Sequence, residues 1–318
     1  MGAIVEVKHL KKYFPTPKGA LHAVDDVSFK IEEGTTLGVV GESGCGKSTL
    51  GRTIIHLQDS TDGQILFDGE DITHVDRKQL SELRHKMQII FQDPFSSLNP
   101  RMTVDDTINE PIRRSGKYSK DEIARETTKL MELVGIDSRM RRAYPHELDG
   151  GRRQRVGIAR ALAMNPRFIV CDEPVSALDV SIQAQILNLL QDLQEERHLT
   201  YMFITHDMSV VRHLSTDIAV MYLGQMVEIS PVKEIFLKTL HPYTKVLLSA
   251  IPSTDIDHPK QRILVKGELV SPIEPKPGCR FYARCPYATE ECTKPQHLEE
   301  VLPKHYVACC HARSLNGL

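Results

Sequence analysis

The sequence predicts an α/β fold: a mixed, mainly parallel sheet, an antiparallel β subdomain, an inserted helical subdomain and a small cysteine-rich C-terminal tail. Three observations carry this prediction. From RFIVCD to IAVMYLG, short apolar strands alternate with helical patterns, as in a parallel sheet covered on both faces. The N-terminal segment alternates apolar and polar residues at the period of half-buried strands. Between the two patterns, a glycine-rich run leads from a short buried strand into a helix. The expected boundaries are 1–235 for the main domain, about 94–150 for the helical subdomain within it, and 236–318 for the C-terminal region.

In chain order, IVEVKHLKKYF and LHAVDDVSFKIEEG read as two antiparallel strands interrupted at PTPKG. TLGVVGESGCGKSTLGRTII is the strand, glycine turn and helix. STDGQILFDGEDI has two Asp-Gly signals around an alternating segment, the mark of a hairpin. From Pro94 to about Pro145 the pattern turns helical and polar, with a proline near each edge. A helix at about Arg152 to Met164, strand RFIVCD, helix SIQAQILNLLQDLQEE, and strands TYMFITHD and IAVMYLG follow. The region after about Ser230 is proline-rich, then cysteine-rich, and reads as a separate tail.

Composition narrows the function. With 40 basic and 42 acidic residues among 318, no net positive field points to nucleic acid. The apolar runs are far short of the roughly 20 residues that cross a bilayer, and the opening residues hold no signal-peptide core, so the expectation is a soluble, cytoplasmic chain. Five of the 7 cysteines crowd into the last forty residues; in a reducing compartment this suggests a metal more than disulfides.

The run Gly41, Glu42, Ser43, Gly44, Cys45, Gly46, Lys47, Ser48, Thr49 satisfies the phosphate-loop pattern, with the strand before it and the helix after it that the motif requires. Its glycines let backbone N–H groups curl around phosphates, Lys47 reaches the outer phosphates, and Ser48 can ligate Mg²⁺. Cys45 reads as a small tolerated residue. The strand RFIVCDEP ends on Asp172, suited to holding the metal, and Glu173, suited to polarising an attacking water as general base. Gln92, closing MQIIFQ, can touch metal or water, and His206, closing YMFITH, can reach the outer phosphate. Tyr13 is the candidate for stacking on adenine, with Phe14 as the alternative and core packing as the bland one.

Together these residues resemble an ATP-binding-cassette (ABC) transporter ATPase over almost the whole chain. Gly41 to Thr49 is similar to its Walker A, Gln92 to its Q-loop, Leu148, Asp149, Gly150, Gly151 and Arg152 to its signature, FIVCDE to its Walker B, SALD to its D-loop and His206 to its switch histidine. FQDPFSSLNPRMTV, HPYTKVLLSAIP and the terminal cysteines resemble the oligopeptide and dipeptide permease group. The resemblance implies an ATP- and Mg²⁺-dependent ATPase acting as a head-to-tail sandwich dimer, each ATP held between one subunit's Walker motifs and the other's signature. It further implies a second, different cassette, two membrane permease subunits docked near Pro94 to Val104, an extracellular solute-binding protein, and a place on the cytoplasmic face of the membrane. Di- or oligopeptides are the expected cargo; nickel chelates or oligosaccharides are the alternatives, as is a largely regulatory subunit. A cassette ATPase acting on ribosomes or DNA commonly has two cassettes or a long coiled-coil insertion, and this chain has neither.

Cys279, Cys285, Cys292, Cys309 and Cys310 lack the tight pairs of structural zinc sites, while iron–sulfur clusters accept varied spacings, so chemistry alone leaves zinc and iron–sulfur open. The resemblance implies a [4Fe–4S] cluster on Cys279, Cys285, Cys292 and Cys309, with Cys310 adjacent as the rival fourth ligand, Zn²⁺ as the alternative metal, and a structural role.

The signature departs from the family at Asp149, where serine normally donates to the outer phosphate of the partner's ATP. An ionised carboxylate cannot donate, and at about 4 Å it repels a like charge by about 4 kcal/mol at an effective dielectric near 20. Arg152 replaces the usual glutamine and can offset the acid. Asp is also a good N-cap, so Asp149 can serve the helix that follows it. The expectation is a degenerate partner site, with the helix cap as the sober alternative.

Overall fold

The computed structural model describes residues 2–252, 262–265, 267 and 271–318, and the chain divides into two units, 1–74 with 203–318, and 75–202. In the first unit, strands Ala3–Thr16 and Gly19–Glu32 form the antiparallel pair expected from their alternation, with Val7 opposite Phe29. Strand Asp62–Phe67 pairs antiparallel with the first of them and turns back through Asp68 and Gly69 into Glu70–Asp71. Both turn residues have positive φ, 54° and 80°, the geometry that an Asp-Gly hairpin turn favours.

The second sheet of this unit positions the glycine loop. Strand Thr36–Val40, buried throughout, runs parallel to Asp217–Tyr222 with Val39 beside Ala219. Thr200–Thr205, whose residues 203–205 belong to this unit, flanks Thr36–Val40 on the other side. Asp217–Tyr222 turns at Leu223 and Gly224 into the antiparallel strand Gln225–Pro231. The region read from the sequence as a separate tail continues the sheet: His305–Val307 pairs with Gln225–Pro231, and Glu299–Leu302 pairs with His305–Val307.

A buried carboxylate makes that attachment. Glu228, on Gln225–Pro231, is fully buried and accepts N–H bonds from Leu240 (2.8 Å) and His241 (3.1 Å). It also meets Nε2 of His305, likewise fully buried, at 2.7 Å. His241 caps the helix Pro242–Ser249, its Nδ1 accepting from the Tyr243 N–H at 3.1 Å. Burial drives the His241 imidazole down to about 4, against the pull of Glu228, so the ring is neutral at pH 7.

In the second unit, Met87–Ile90 runs parallel to Phe168–Asp172, with Ile90 beside Cys171. Helix Arg77–Lys86, which the sequence reading did not identify, buries only Leu83 and so presents no apolar stripe; it is fixed by a capping box between Asp76 and Gln79. Val104–Ser115 and Lys120–Leu133 are helices within 94–150, Gly150–Leu162 is the helix expected after that segment, and Val180–Arg197 is the long helix after the acidic strand end. Gly150–Leu162 begins two residues before the expected Arg152, because the cap is Asp149.

The buried Glu228–His305 pair yields a stability prediction. His305→Ala removes the carboxylate's ring partner and leaves a buried charge on two backbone donors, so unfolding in urea should shift by about 3 kcal/mol.

Candidate functional site

On the first unit, the loop Gly41–Thr49 leaves the end of Thr36–Val40 and enters the helix Lys47–Ile54. Two glycines are required by geometry. Gly46 has φ +106°, and a Cβ there would stand 1.9 Å from the Ala23 carbonyl oxygen; at Gly41 it would stand 2.1 Å from that of Met221. The Lys47 side chain is buried and its Nζ donates to the carbonyls of Gly41 (2.8 Å) and Glu42 (2.9 Å), across the mouth of the loop. Burial raises the Cys45 thiol, despite the Lys47 charge, which disfavours a reactive thiolate. His206 is exposed at the end of Thr200–Thr205, just ahead of Asp207, the cap of Met208–Leu214.

Tyr13 has partners of its own. Its ring stacks on His22 with centroids 3.9 Å apart, and its hydroxyl donates to Asp25, which also receives the Arg280 guanidinium. Burial, then the Asp25 carboxylate, raise the Tyr13 phenol.

On the second unit, Phe168–Asp172 ends in fully buried Asp172, and Glu173 follows at φ 47°. A non-glycine residue in that region is uncommon and clusters at functional sites. There the Glu173 carboxylate accepts from Gln92 Nε2 at 3.1 Å, which unites two residues that lie 81 positions apart.

The signature acid is a helix cap. Asp149 Oδ1 accepts from the Arg152 N–H at 2.7 Å, while its other oxygen pairs with the Arg152 guanidinium at 3.3 Å. Both side chains are more than half exposed. Gly151 is needed for close packing, since a Cβ there would stand 2.7 Å from Ile182. Leu148 is buried directly before the cap.

The terminal cysteines converge in the first unit. Cys279, Cys285, Cys292, Cys309, Cys310 and His311 line one small cavity. Cys292 Sγ and Cys310 Sγ are 3.7 Å apart, and with His311 they have ligand atoms within 4.8 Å of one another. The geometry thus draws Cys310 closest, beside the expected Cys309. Burial first, then repulsion from Cys309, Cys292 and Cys285, push the Cys279 thiol up to about 12.

Sequence reasoning missed Tyr243, Arg280 and Arg284. Tyr243 lies in HPYTKVLLSAIP, noticed only for its resemblance; its hydroxyl accepts the Glu42 N–H at 2.9 Å. Arg284 bonds the Glu42 carboxylate. These partners are 201 and 242 residues apart, so no local signal marks them.

Comparison with known proteins places the chain in a family. A family model described as ABC transporter matches residues 24–176, and one described as oligopeptide/dipeptide transporter, C-terminal region, matches residues 227–292. The chain is 49% identical over 317 residues to the oligopeptide transport ATP-binding protein AppF of Bacillus subtilis, covering 96% of each. It is 52% identical over 288 residues to OppF of the same organism, covering 86% of this chain and 94% of that one. Among solved structures, it is similar to the ATP-binding cassette MJ0796 in a dimeric post-hydrolysis state bound to ADP and Pi. That match has a TM-score of 0.66 and 30% identity, over 72% of this chain and 98% of that one.

The cap at Asp149 is testable by itself. Asp149→Ala should destabilise the full chain by about 1 kcal/mol in urea unfolding, and Asp149→Ser, which can still accept from the Arg152 N–H, should lose much less.

Proposed function

This chain belongs to the ATP-binding subunits of the oligopeptide/dipeptide branch of ABC transporters, ATPases coupled to transport, and from that premise we propose how its residues divide the work. The loop Gly41–Thr49 binds the phosphates of ATP through its N–H groups, and Lys47 gives up its carbonyl partners to neutralise the outer phosphates. Ser48, Gln92 and Asp172 are the residues that would hold Mg²⁺, which would supply charge neutralisation on the phosphates. Glu173 takes a proton from the attacking water, His206 contacts the outer phosphate, and Tyr13 offers its ring to the adenine. The observation that carries the catalytic assignment is Glu173 itself: a carboxylate turned off the strand end by a positive φ and oriented by Gln92 at 3.1 Å. A base fixed by a third group is the arrangement that general-base chemistry needs.

The transported cargo is peptide, on the strength of relatives named for oligopeptide transport. The chain sits peripherally on the cytoplasmic face of the membrane, docked under two permease subunits, with cargo supplied by an extracellular solute-binding protein. Among the described residues no helix is long and apolar enough to cross a membrane. The second cassette is a different polypeptide, and its ATP faces Leu148–Arg152 of this chain. That site is the weaker of the two, because Asp149 cannot donate and both its oxygens are engaged by Arg152. This chain's own ATP is then the one whose hydrolysis drives the cycle.

The cysteine cavity would hold a [4Fe–4S] cluster through Cys279, Cys285, Cys292 and Cys309, with Cys310 as the competing fourth ligand and Zn²⁺ as the alternative. Five thiols and an imidazole on one cavity fit a thiophilic metal centre, and burial that keeps the free thiols protonated is relieved when metal displaces the protons. The role is a staple for a region with a small apolar cluster.

Two experiments test these assignments. In the complex assembled with the partner cassette and permeases, Glu173→Gln should remove most phosphate release while Asp149→Ala changes it little; near-full turnover with Glu173→Gln would assign hydrolysis to the other cassette. Anaerobic purification with absorption spectroscopy and iron analysis should find about four irons per chain; an iron-free, zinc-loaded chain would overturn the cluster.

A further inference from the structure

The phosphate loop contains a carboxylate of its own at Glu42, although the loop's purpose is to receive a triphosphate. An uncompensated negative charge at that place opposes the ligand, and even a screened repulsion between a carboxylate and a triphosphate amounts to severalfold in affinity. Glu42 is compensated from the C-terminal region. The Arg284 guanidinium reaches both carboxylate oxygens, at 3.1 and 3.0 Å, and the Tyr222 hydroxyl at 3.3 Å. Its side chain is 14% exposed, so the pair is partly shielded from salt and water.

The backbone at Glu42 is held by the same region. Tyr243 is fully buried, and its hydroxyl accepts the Glu42 N–H. Its ring packs on Tyr222 at 4.6 Å between centroids, and Tyr222 meets Phe281 edge-on at 5.4 Å. Phe281 and Arg284 lie on the short segment between Cys279 and Cys285. That segment therefore supplies the cation that pairs with Glu42 and Phe281, the ring that packs on both Tyr222 and Tyr243.

We infer that Arg284 is a positioning residue for nucleotide binding: it cancels the Glu42 charge and keeps that carboxylate paired with the C-terminal region, which makes this region a working part of the ATP site. The inference rests on the phosphate-loop reading of Gly41–Thr49 and is independent of what the cysteines bind. It gives a function to a region that its family match describes only as C-terminal.

The test titrates Mg·AMP-PNP calorimetrically into the full-length chain and four variants at low and high salt. Arg284→Gln should bind about tenfold more weakly, and Glu42→Gln, which leaves a guanidinium unpaired beside the loop, severalfold more tightly. Arg284→Gln combined with Glu42→Gln should recover most of the loss, and the loss in Arg284→Gln should shrink as salt rises. Glu42→Asp, one methylene shorter and with the C-terminal region untouched, should bind severalfold more weakly and serves if Arg284→Gln does not fold. Affinity of Arg284→Gln within twofold of the parent chain, or a double variant as weak as Arg284→Gln alone, would overturn the inference, the second being the result of a purely structural role. A parent chain that binds no AMP-PNP would instead overturn the phosphate-loop reading.

Discussion

The backbone of the loop Gly41–Thr49 is clamped against carbonyls from two strands of its own unit. Gly46 lies against the Ala23 carbonyl and Gly41 against that of Met221, each closer than any side chain allows. Those carbonyls belong to Gly19–Glu32 and to Asp217–Tyr222, so the loop takes its shape against both the antiparallel pair and the parallel sheet. Lys47 then spans the loop to the carbonyls of Gly41 and Glu42. On the proposed function, a loop backbone with this little freedom requires little reorganisation when phosphate arrives, which is the advantage of a pre-formed site.

The same economy extends to the C-terminal region. Glu228 ties the sheet to the start of Pro242–Ser249 and to His305 by three hydrogen bonds to one buried carboxylate. That helix brings Tyr243 to the Glu42 N–H. The segment from Cys279 to Cys285 brings Arg280 to Asp25, on which the Tyr13 hydroxyl also rests, and Arg284 to Glu42. The two arginines thus reach the Tyr13–Asp25 pair and the loop Gly41–Thr49 from one short stretch bounded by two of the converging cysteines. Arg284 thus stands between Cys285, which lines the cysteine cavity, and Glu42 of the loop.

What was legible in the sequence was local. The loop glycines, the Asp68-Gly69 turn and the Asp149 cap each depend on a few consecutive residues, and each takes the form that its residue types favour. The pairing of Gln92 with Glu173 was approachable because both close apolar strands that end at one sheet edge. The short strands Glu299–Leu302 and His305–Val307 were not legible: they have four and three residues, too short for periodicity to register. Arg284 and Tyr243 were not legible because an ion pair spanning 242 residues leaves no mark in either neighbourhood. The tail read as separate is joined by a buried Glu–His pair, and such a pair looks in sequence like two ordinary surface residues.

The account depends on the phosphate loop and the segment from Cys279 to Cys285 behaving as one cooperative unit. Hydrogen–deuterium exchange of the full chain, with and without Mg·AMP-PNP, measures this directly, because linkage requires ligand at one member of a coupled pair to stabilise the other. The account predicts that nucleotide slows exchange in residues 41–49 and also in residues 279–285. Protection confined to residues 41–49, with exchange in 279–285 unchanged, would contradict it.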